Sequence, residues 1–431
     1  MKPQDSRIAQ TARWGSLGLN VEEPLIMHID LNSAFAMAEQ QARPNLRGKP
    51  LGMTNRLSKY CCVIAASYEA KKRGVKVGMR LNEARALIPE FIILETDPPK
   101  YHYIYQKLAG IMKSYSPDVK MKSIDEGIID FHGTKQHINK RSLEEIGIEI
   151  KGQLRRELGG WIKVNIGIGP NRFLAKTAAS LNKPDGLDTI DHTNLLEVYG
   201  SLKLTDLTGI AKHYQARLNA YGIYTPIDFL NASSDKLRRT VFHSVVGEDW
   251  YQRLRGYEVD SVTTKLGQVG RQHVLDIKTN DESILLPRFH YLCETTGKKL
   301  RYRQVDARGI LVWAYFKSGG RWHQRKTFES SFYTDKEIYR RALELFNKRP
   351  KHLIVTTLGI TCYNLSPSSR AQASLMEEVN REEWLTEAID DINERYGTFV
   401  ISSLESLQGK TVKQKIPFGG TQYFELLLKR A

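Results

Sequence analysis

The sequence predicts an α+β protein of several domains, on three observations. A length of 431 residues allows about two to four domains. Strands and helices alternate from about residue 24 to 188, as in an α/β or α+β core. The texture then changes twice, to short helical pieces near 204 and to strand-rich segments after Arg255-Gly256. Apolar content of 41% and charged content of 26% suit a folded globular chain and exclude a disordered or collagen-like one.

Residues 1–23 are polar and without period, which predicts an arm or loose cap ahead of an ordered chain that starts near Pro24. PLIMHID reads as a short buried strand ending at Asp30, and SAFAMAEQQAR as a helix opened by Ser33, a residue suited to capping. The run CCVIAAS reads as a buried strand that packs Cys61 and Cys62. Ile104, Leu108, Ile111, Met112 and Tyr115 fall at helical spacing and stop before Ser116-Pro117, which predicts a helix over about 101–115. VKMKSIDEGIIDF reads as strand material broken or bent around Asp125-Glu126-Gly127. Leu143, Ile146, Ile150 and Leu154 form one helical stripe. WIKVNIGIG then reads as a strand and PNRFLAKTAASL as a helix with Pro170 in its first turn. Gly209 and Gly222 mark turns between the short helical pieces. Farther on come a helix near 283–304, the strands RGILVWAYF and WHQRKTFESSF, and another strand in 351–363. SPSSRAQ (366–372) reads as a linker, EEWLTEAIDDINERYG as a helix, and the rest as a poorly patterned tail.

Lys and Arg number 64 against 48 Asp and Glu, a net +16 that favours a polyanionic partner, nucleic acid first. Between 262 and 330 there are 13 basic and six acidic residues, so nearly half of the surplus lies there. No apolar run reaches membrane-spanning length and the first residues lack a signal peptide's apolar core, so a soluble cytoplasmic protein without a membrane partner is expected. Four cysteines without CxxC spacing argue against zinc and structural disulfides.

Asp30, Asp125 and Glu126 stand where strand material ends or bends in apolar surroundings, and a carboxylate there is costly unless paired, hydrogen-bonded or bound to a cation. Divalent ions would turn the mutual repulsion of such carboxylates into attraction, and Mg²⁺ suits one or two carboxylates completed by water and phosphate. The bland alternative is a turn or cap role for each residue, and spacing alone does not decide between them.

The strings HIDLNSAFAMAE, VIAASYEAKKRGVKVGM, SIDEGIIDF and NIGIGPNRFLAKTAASLNKPDGL, in this order, closely resemble the Y-family translesion DNA polymerases of the DinB and UmuC type. The resemblance covers roughly residues 24–365. It implies a right-hand polymerase: a ferredoxin-like palm (24–46 and 96–188), small fingers (47–95), a helix-hairpin-helix thumb (189–256), an α+β little finger (262–365), and a linker, clamp-binding peptide and tail (366–431). It further implies two Mg²⁺ ions, with Mn²⁺ as a possible substitute, held by Asp30, Asp125, Glu126 and the backbone carbonyl of Leu31. Where relatives often have a second acid, this chain has Asn32. Phe35 falls at the aromatic steric gate that excludes a ribose 2′-hydroxyl. Tyr68, Lys71 and Lys183 match residues that contact the incoming triphosphate, with Lys71 in place of a common arginine, which removes a bidentate fork. In the thumb, Gly209-Ile210-Ala211 replaces the usual Gly-hydrophobic-Gly turn. Arg271, Arg303, Arg308 and Arg321 are the implied contacts to the DNA backbone. Gln372-Ala373-Ser374-Leu375-Met376 is similar to a sliding-clamp-binding peptide, anchored by Gln372, Leu375 and Met376, and Gln422-Tyr423-Phe424 is a lesser candidate. The implied function is template-directed, low-fidelity synthesis across damaged DNA by a monomer that takes deoxynucleoside triphosphates and primer-template DNA. A catalytically silent DNA-binding adaptor is the rival from another class, and the retained carboxylates, Phe35 and Lys183 argue against it. A nucleotidyl cyclase with a palm-like core is a second rival, disfavoured by the basic segment after 262.

Overall fold

Six residues of mainly apolar character, Ile26–Leu31, form β1, the middle strand of a five-stranded sheet. The computed structural model describes residues 17–57, 61–137, 141–262, 265–368, 377–396 and 400–406, in two units that divide after Val262. In the first unit β1 is followed by α1 (Ala34–Ala42), β2 (Leu51–Thr54), β3 (Ala65–Ala66), α2 (Tyr68–Lys72), α3 (Leu81–Leu87), β4 (Ile92–Glu95) and α4 (Pro98–Lys113). Then come β5 (Val119–Met121), β6 (Glu126–Asp130), α5 (Leu143–Leu158), β7 (Val164–Gly169), α6 (Arg172–Leu181) and β8 (Leu187–Thr189). The order β5-β6-β1-β7-β8 makes β1 antiparallel to both neighbours, while β3-β2-β4 form a separate small sheet. α7 (Leu195–Ser201), α8 (Lys212–Ala220), α9 (Pro226–Asn231) and α10 (Val246–Leu254) complete the unit as a helical cluster around Phe229, Leu237 and Trp250.

The two faces of the large sheet follow from strand alternation. Met27, Ile29 and Leu31 face a core shared with Leu108 and Met112 of α4 and Ile146 and Ile150 of α5. Ile26, which clusters with Ile128 and Ala175 of α6, lies on the other face, as do His28 and Asp30 by the same alternation.

Several expectations need correction. VKMKSIDEGIIDF is broken as expected, into two antiparallel strands, but the turn lies over 122–125, ahead of Gly127, and is closed by Lys122 N–H donating to Glu126 O at 2.9 Å. Pro170 precedes the helix cap instead of sitting in the first turn; Asn171 is the cap and accepts from Leu174 N–H at 2.7 Å. α4 begins earlier than its apolar stripe suggests because Asp97 caps it and prolines occupy its first turn. Of the adjacent pair Cys61 and Cys62, the first is buried, whereas Cys62 is exposed and pairs with Arg80 in an isolated bridge. The described end of the expected loose arm is tied down: Leu19 is buried in the helical cluster and Asn20 N–H donates to Arg255 O at 2.8 Å.

The second unit contains β9 (Gln268–Thr279), α11 (Glu282–Tyr302), β10 (Val305–Phe316), β11 (Arg321–Phe332), α12 (Asp335–Phe346) and β12 (Val355–Pro367). Its antiparallel sheet, ordered β11-β10-β12-β9, packs Ile310, Val312, Leu358 and Ile360 against Leu285, Phe289, Ile338 and Phe346 of the two helices. A final helix, α13 (Glu377–Tyr396), joins the unit through Asp390, which shares the buried Arg301 guanidinium with Asp335. No helix among the described residues is long and apolar enough to cross a membrane.

Candidate active site

Strand register sets out the acidic end of the large sheet. Asp30 on β1 lies directly across from Glu126 on β6 and from Asn165 on β7, and residues directly opposite share a face. Leu31 N–H donates to Asp125 O at 2.9 Å, which holds the turn before β6 against the end of β1, and Ser123 Oγ hydrogen-bonds the Asp125 carboxylate. Over this face lies α6. Its approach depends on glycine in β7: a Cβ on Gly167 would lie 2.1 Å from Ala175 O and from Ala179 N. The close helix carries Lys176 to Glu126, Nζ to Oε2 at 2.8 Å, and the turn that follows it brings Lys183 into an ion pair with Asp30.

That turn is held by asparagines. Asn32, 2% exposed, donates from Nδ2 to Asn165 Oδ1 at 2.8 Å and accepts from Asp185 N–H at 2.8 Å. Asn165 Nδ2 in turn donates to Asn182 O at 3.1 Å, so Lys183 sits between two fastened residues.

Burial works against the charge on Glu126, but His28 and Lys176 outweigh it and hold the carboxyl at about 2. Burial also raises the Asp125 carboxyl; its bond to Ser123 opposes the rise, and Asp30 and Glu126 add to it. The site therefore contains two carboxylates already matched to lysines, Glu126 and Asp30, and a third, Asp125, whose surroundings call for added positive charge.

From the other side of Asp30 come Ser33, Tyr68 and Lys71. Ser33 stands at the start of α1 with φ +45°, and its hydroxyl makes no cap bond. It accepts instead from Lys71 Nζ at 2.7 Å, so the expected capping role is replaced by a tether between α1 and α2. Lys71 Nζ also lies 4.9 Å from the Tyr68 ring centre. Burial and the charge of Asp30 raise the Tyr68 phenol to about 12, whereas burial and the neighbouring Lys183 lower Lys71. Tyr68 and Lys71 of α2, far in sequence from Lys183, thus lie within reach of the charge of the carboxylate that Lys183 pairs with, Asp30. Phe35 stands in the first turn of α1, and a shallow pocket between it and Asp125 is lined by Leu31, Ala34, Tyr101, Ile104 and Ile124.

Among the described residues no three His, Cys, Asp or Glu side chains close a metal cage. Mg²⁺ needs none, since it is held by one or two carboxylates with water and phosphate. The oxygen donors of Asp30, Asp125 and Glu126 fit such a hard cation, and the ammonium groups on Asp30 and Glu126 already answer the same local negative charge.

Gly209 adopts φ +101° before α8, a conformation that favours glycine. Ala211 has φ −99°, which any residue adopts, so the missing second glycine does not strain the turn; no side chain caps the amides that open α8. In the second unit, Arg321, His323 and Arg325 of β11 lie across from Tyr315, Trp313 and Leu311 of β10, and all three are exposed on the face opposite the helices. Arg308 is exposed and donates to Glu329 O at 2.7 Å. Arg271 pairs with Ile360 and so lies on the helix-bearing face, away from Arg321. There it joins Arg303, at the end of α11, and Lys299: burial, then Arg271 and Arg303, push the Lys299 ammonium down to about 8. The four arginines singled out in the sequence therefore belong to different surfaces. Sequence reading missed Lys299 and Arg325; the alternation Arg321-Trp322-His323-Gln324-Arg325 was the available signal for the latter. Gln372, Leu375, Met376 and Gln422-Tyr423-Phe424 lie outside the described residues.

Two family models match the chain: the impB/mucB/samB family over residues 29–180 and the impB/mucB/samB family C-terminal domain over 267–375. DNA polymerase IV of Moorella thermoacetica is 30% identical over 411 residues, covering 90% of this chain and 97% of its own. DNA polymerase IV 1 of Bacillus subtilis is 28% identical over 400 residues, covering 91% and 95%. Among solved structures, a Y-family DNA polymerase chimera of Dbh and Dpo4 superposes with a TM-score of 0.67 at 24% identity, covering 79% of this chain and 98% of the other.

Proposed function

The chain belongs to the impB/mucB/samB family and is a DinB-type, Y-family translesion DNA polymerase, and from that premise we propose that Asp30, Asp125 and Glu126 form its catalytic centre. The observation that carries the assignment is the grouping of Tyr68, Lys71 and Lys183 around Asp30, beside Asp125 and Glu126. A lysine paired with Asp30, with a second lysine and a phenol within reach of that carboxylate's charge, is a layout for a triphosphate held against metal-binding oxygens.

Y-family polymerases are metal-dependent. Here Asp30, Asp125, Glu126 and the Leu31 carbonyl would hold two Mg²⁺ ions, or Mn²⁺ in their place, which supply activation of the primer hydroxyl and charge neutralisation at the phosphates. Lys183 and Lys71 bind the phosphates as point charges, and Tyr68 adds a hydroxyl. Lys183 must exchange its ion pair with Asp30 for phosphate when nucleotide arrives. Phe35 bears on the sugar and selects deoxynucleotides. The primer 3′-hydroxyl attacks the α-phosphate, the new phosphodiester forms, and pyrophosphate leaves.

Residues 24–46 and 96–188 serve as palm, 47–95 as fingers, 189–256 as thumb and 262–365 as little finger. In the little finger, Arg321 and Arg325 on the open sheet face and Arg271, Lys299 and Arg303 on the other offer two basic surfaces to DNA backbone. Sliding-clamp binding through Gln372, Leu375 and Met376, a monomeric state and a cytoplasmic location rest on the sequence reading.

The test is primer extension on an undamaged and an abasic-site template with Mg²⁺ and four deoxynucleotides. Wild type is expected to extend both, and Asp125→Ala to lose extension on both while still binding DNA. Equal extension by the variant would remove Asp125 from the catalytic centre.

A further inference from the structure

Glu39 is a buried carboxylate at 1% exposure, a costly placement that the reaction above does not use. It lies one turn after Phe35 on α1, and Tyr101 of α4 spans the two. The Tyr101 ring stacks on Phe35 with centroids 4.5 Å apart and planes 26° from parallel. Its hydroxyl donates to Glu39 Oε1 at 3.1 Å. Lys100 Nζ donates to both Glu39 oxygens at 2.8 and 2.9 Å, and Arg43 lies 3.8 Å away, so the carboxylate is fixed from several sides.

We propose that Tyr101 is the positioning residue of the sugar-excluding ring: its stacked face sets the plane of Phe35, and the Glu39–Lys100 pair locks Tyr101 in place. The inference rests on the reading of Phe35 as a sugar gate. A gate works only if its ring cannot turn aside for a 2′-hydroxyl, and a stacked partner anchored to the same helix removes that freedom. A flexible aliphatic residue at 101 would fill space without setting a plane. The device concerns specificity, because Tyr101 reaches neither the carboxylates nor the phosphate-facing lysines by any contact described above.

The test measures single-nucleotide incorporation of a deoxynucleotide and its ribonucleotide counterpart by wild type, Tyr101→Phe, Tyr101→Met, Tyr101→Leu and Phe35→Ala, with thermal melting of each. Discrimination is expected to fall about tenfold or more in Tyr101→Leu and Tyr101→Met, chiefly through a lower ribonucleotide KM, and to persist largely in Tyr101→Phe, which keeps the stack. A purely structural role would lower Tm and slow both sugars alike, leaving their ratio unchanged. That unchanged ratio, found in folded Tyr101→Met or Tyr101→Leu while Phe35→Ala relaxes selectivity, overturns the positioning role alone. Unchanged selectivity in Phe35→Ala overturns the gate reading and the inference with it.

Discussion

The buried amide of Asn32 does two things that a carboxylate could not do together. It donates to Asn165 and accepts from the Asp185 backbone, whereas an ionised acid could only accept and would add a negative charge next to Asp30. The departure from the acid common among relatives therefore fastens the turn that carries Lys183. Asn32→Ala leaves Asp185 N–H and Asn165 Oδ1 without these partners, a loss of about 1–3 kcal/mol. The expected result is a lower Tm and a KM for deoxynucleotide that rises more than kcat falls; steady-state kinetics that match wild type would refute the role. Lys299 gives a second residue-scale prediction. Burial, Arg271 and Arg303 hold its folded value at about 8, below the usual lysine range near 10.5. Below pH 8 the group is charged in both states and the folded chain bears the full repulsion. Between about 8 and 10.5 the unfolded state binds more protons, so this group's contribution to stability rises with pH. Chemical denaturation from pH 7.5 to 10.5 should show that rise in wild type and a smaller one in Lys299→Met.

At the scale of elements, the carboxylate-bearing face depends on how closely one helix approaches one strand. Gly167 leaves β7 flat enough for α6 to lie against it, and Lys176 and Lys183 reach their carboxylates from that position. Gly167→Ala drives a methyl into the α6 backbone, which costs about 1–3 kcal/mol or more by overpacking and shifts both lysines. Reduced Tm together with weakened nucleotide binding is expected; an unaltered KM in a destabilised enzyme would separate the packing from the site. Strands and helices with a clean period were legible in the sequence, and so was the placement of Asp30, Asp125 and Glu126 at strand ends and a turn, because the acidic residues break apolar runs. Several boundaries and roles were not, because tertiary partners decide them. Ser33 resembles a helix cap, but Lys71 takes its hydroxyl. α13 reads as a helix, but its facing is set by the buried Arg301: it turns Asp390 and Glu382 toward the unit and leaves Trp384 and Tyr396 exposed. The grouping of Lys299 with Arg271 and Arg303 was hidden because it requires strand register and helix position together.

For the whole molecule, a surplus of 16 positive charges makes affinity for DNA an ionic-strength question before it is a sequence question. Total charge, readable from composition, predicts a steep fall in binding as salt rises, but not which residues release counterions. The structure sorts the basic side chains of β11. Arg321 and Arg325 are exposed on the open sheet face, whereas Lys326 lies on the helix-bearing face, where its ammonium pairs with Glu344 at 3.1 Å. Contacts to phosphate hold a polymerase without choosing a base, so loss of one should weaken all templates alike. Arg321→Ala and Arg325→Ala are each expected to lower primer-template affinity across sequences and to reduce the slope of log K against log salt by about 1. Lys326→Ala removes the same charge from the same strand and should leave the slope within error of wild type. Fluorescence anisotropy over a salt series distinguishes the two cases. Equal slopes for all three variants would mean that net charge alone governs binding, and the open sheet face would lose its assignment as a DNA-contacting surface.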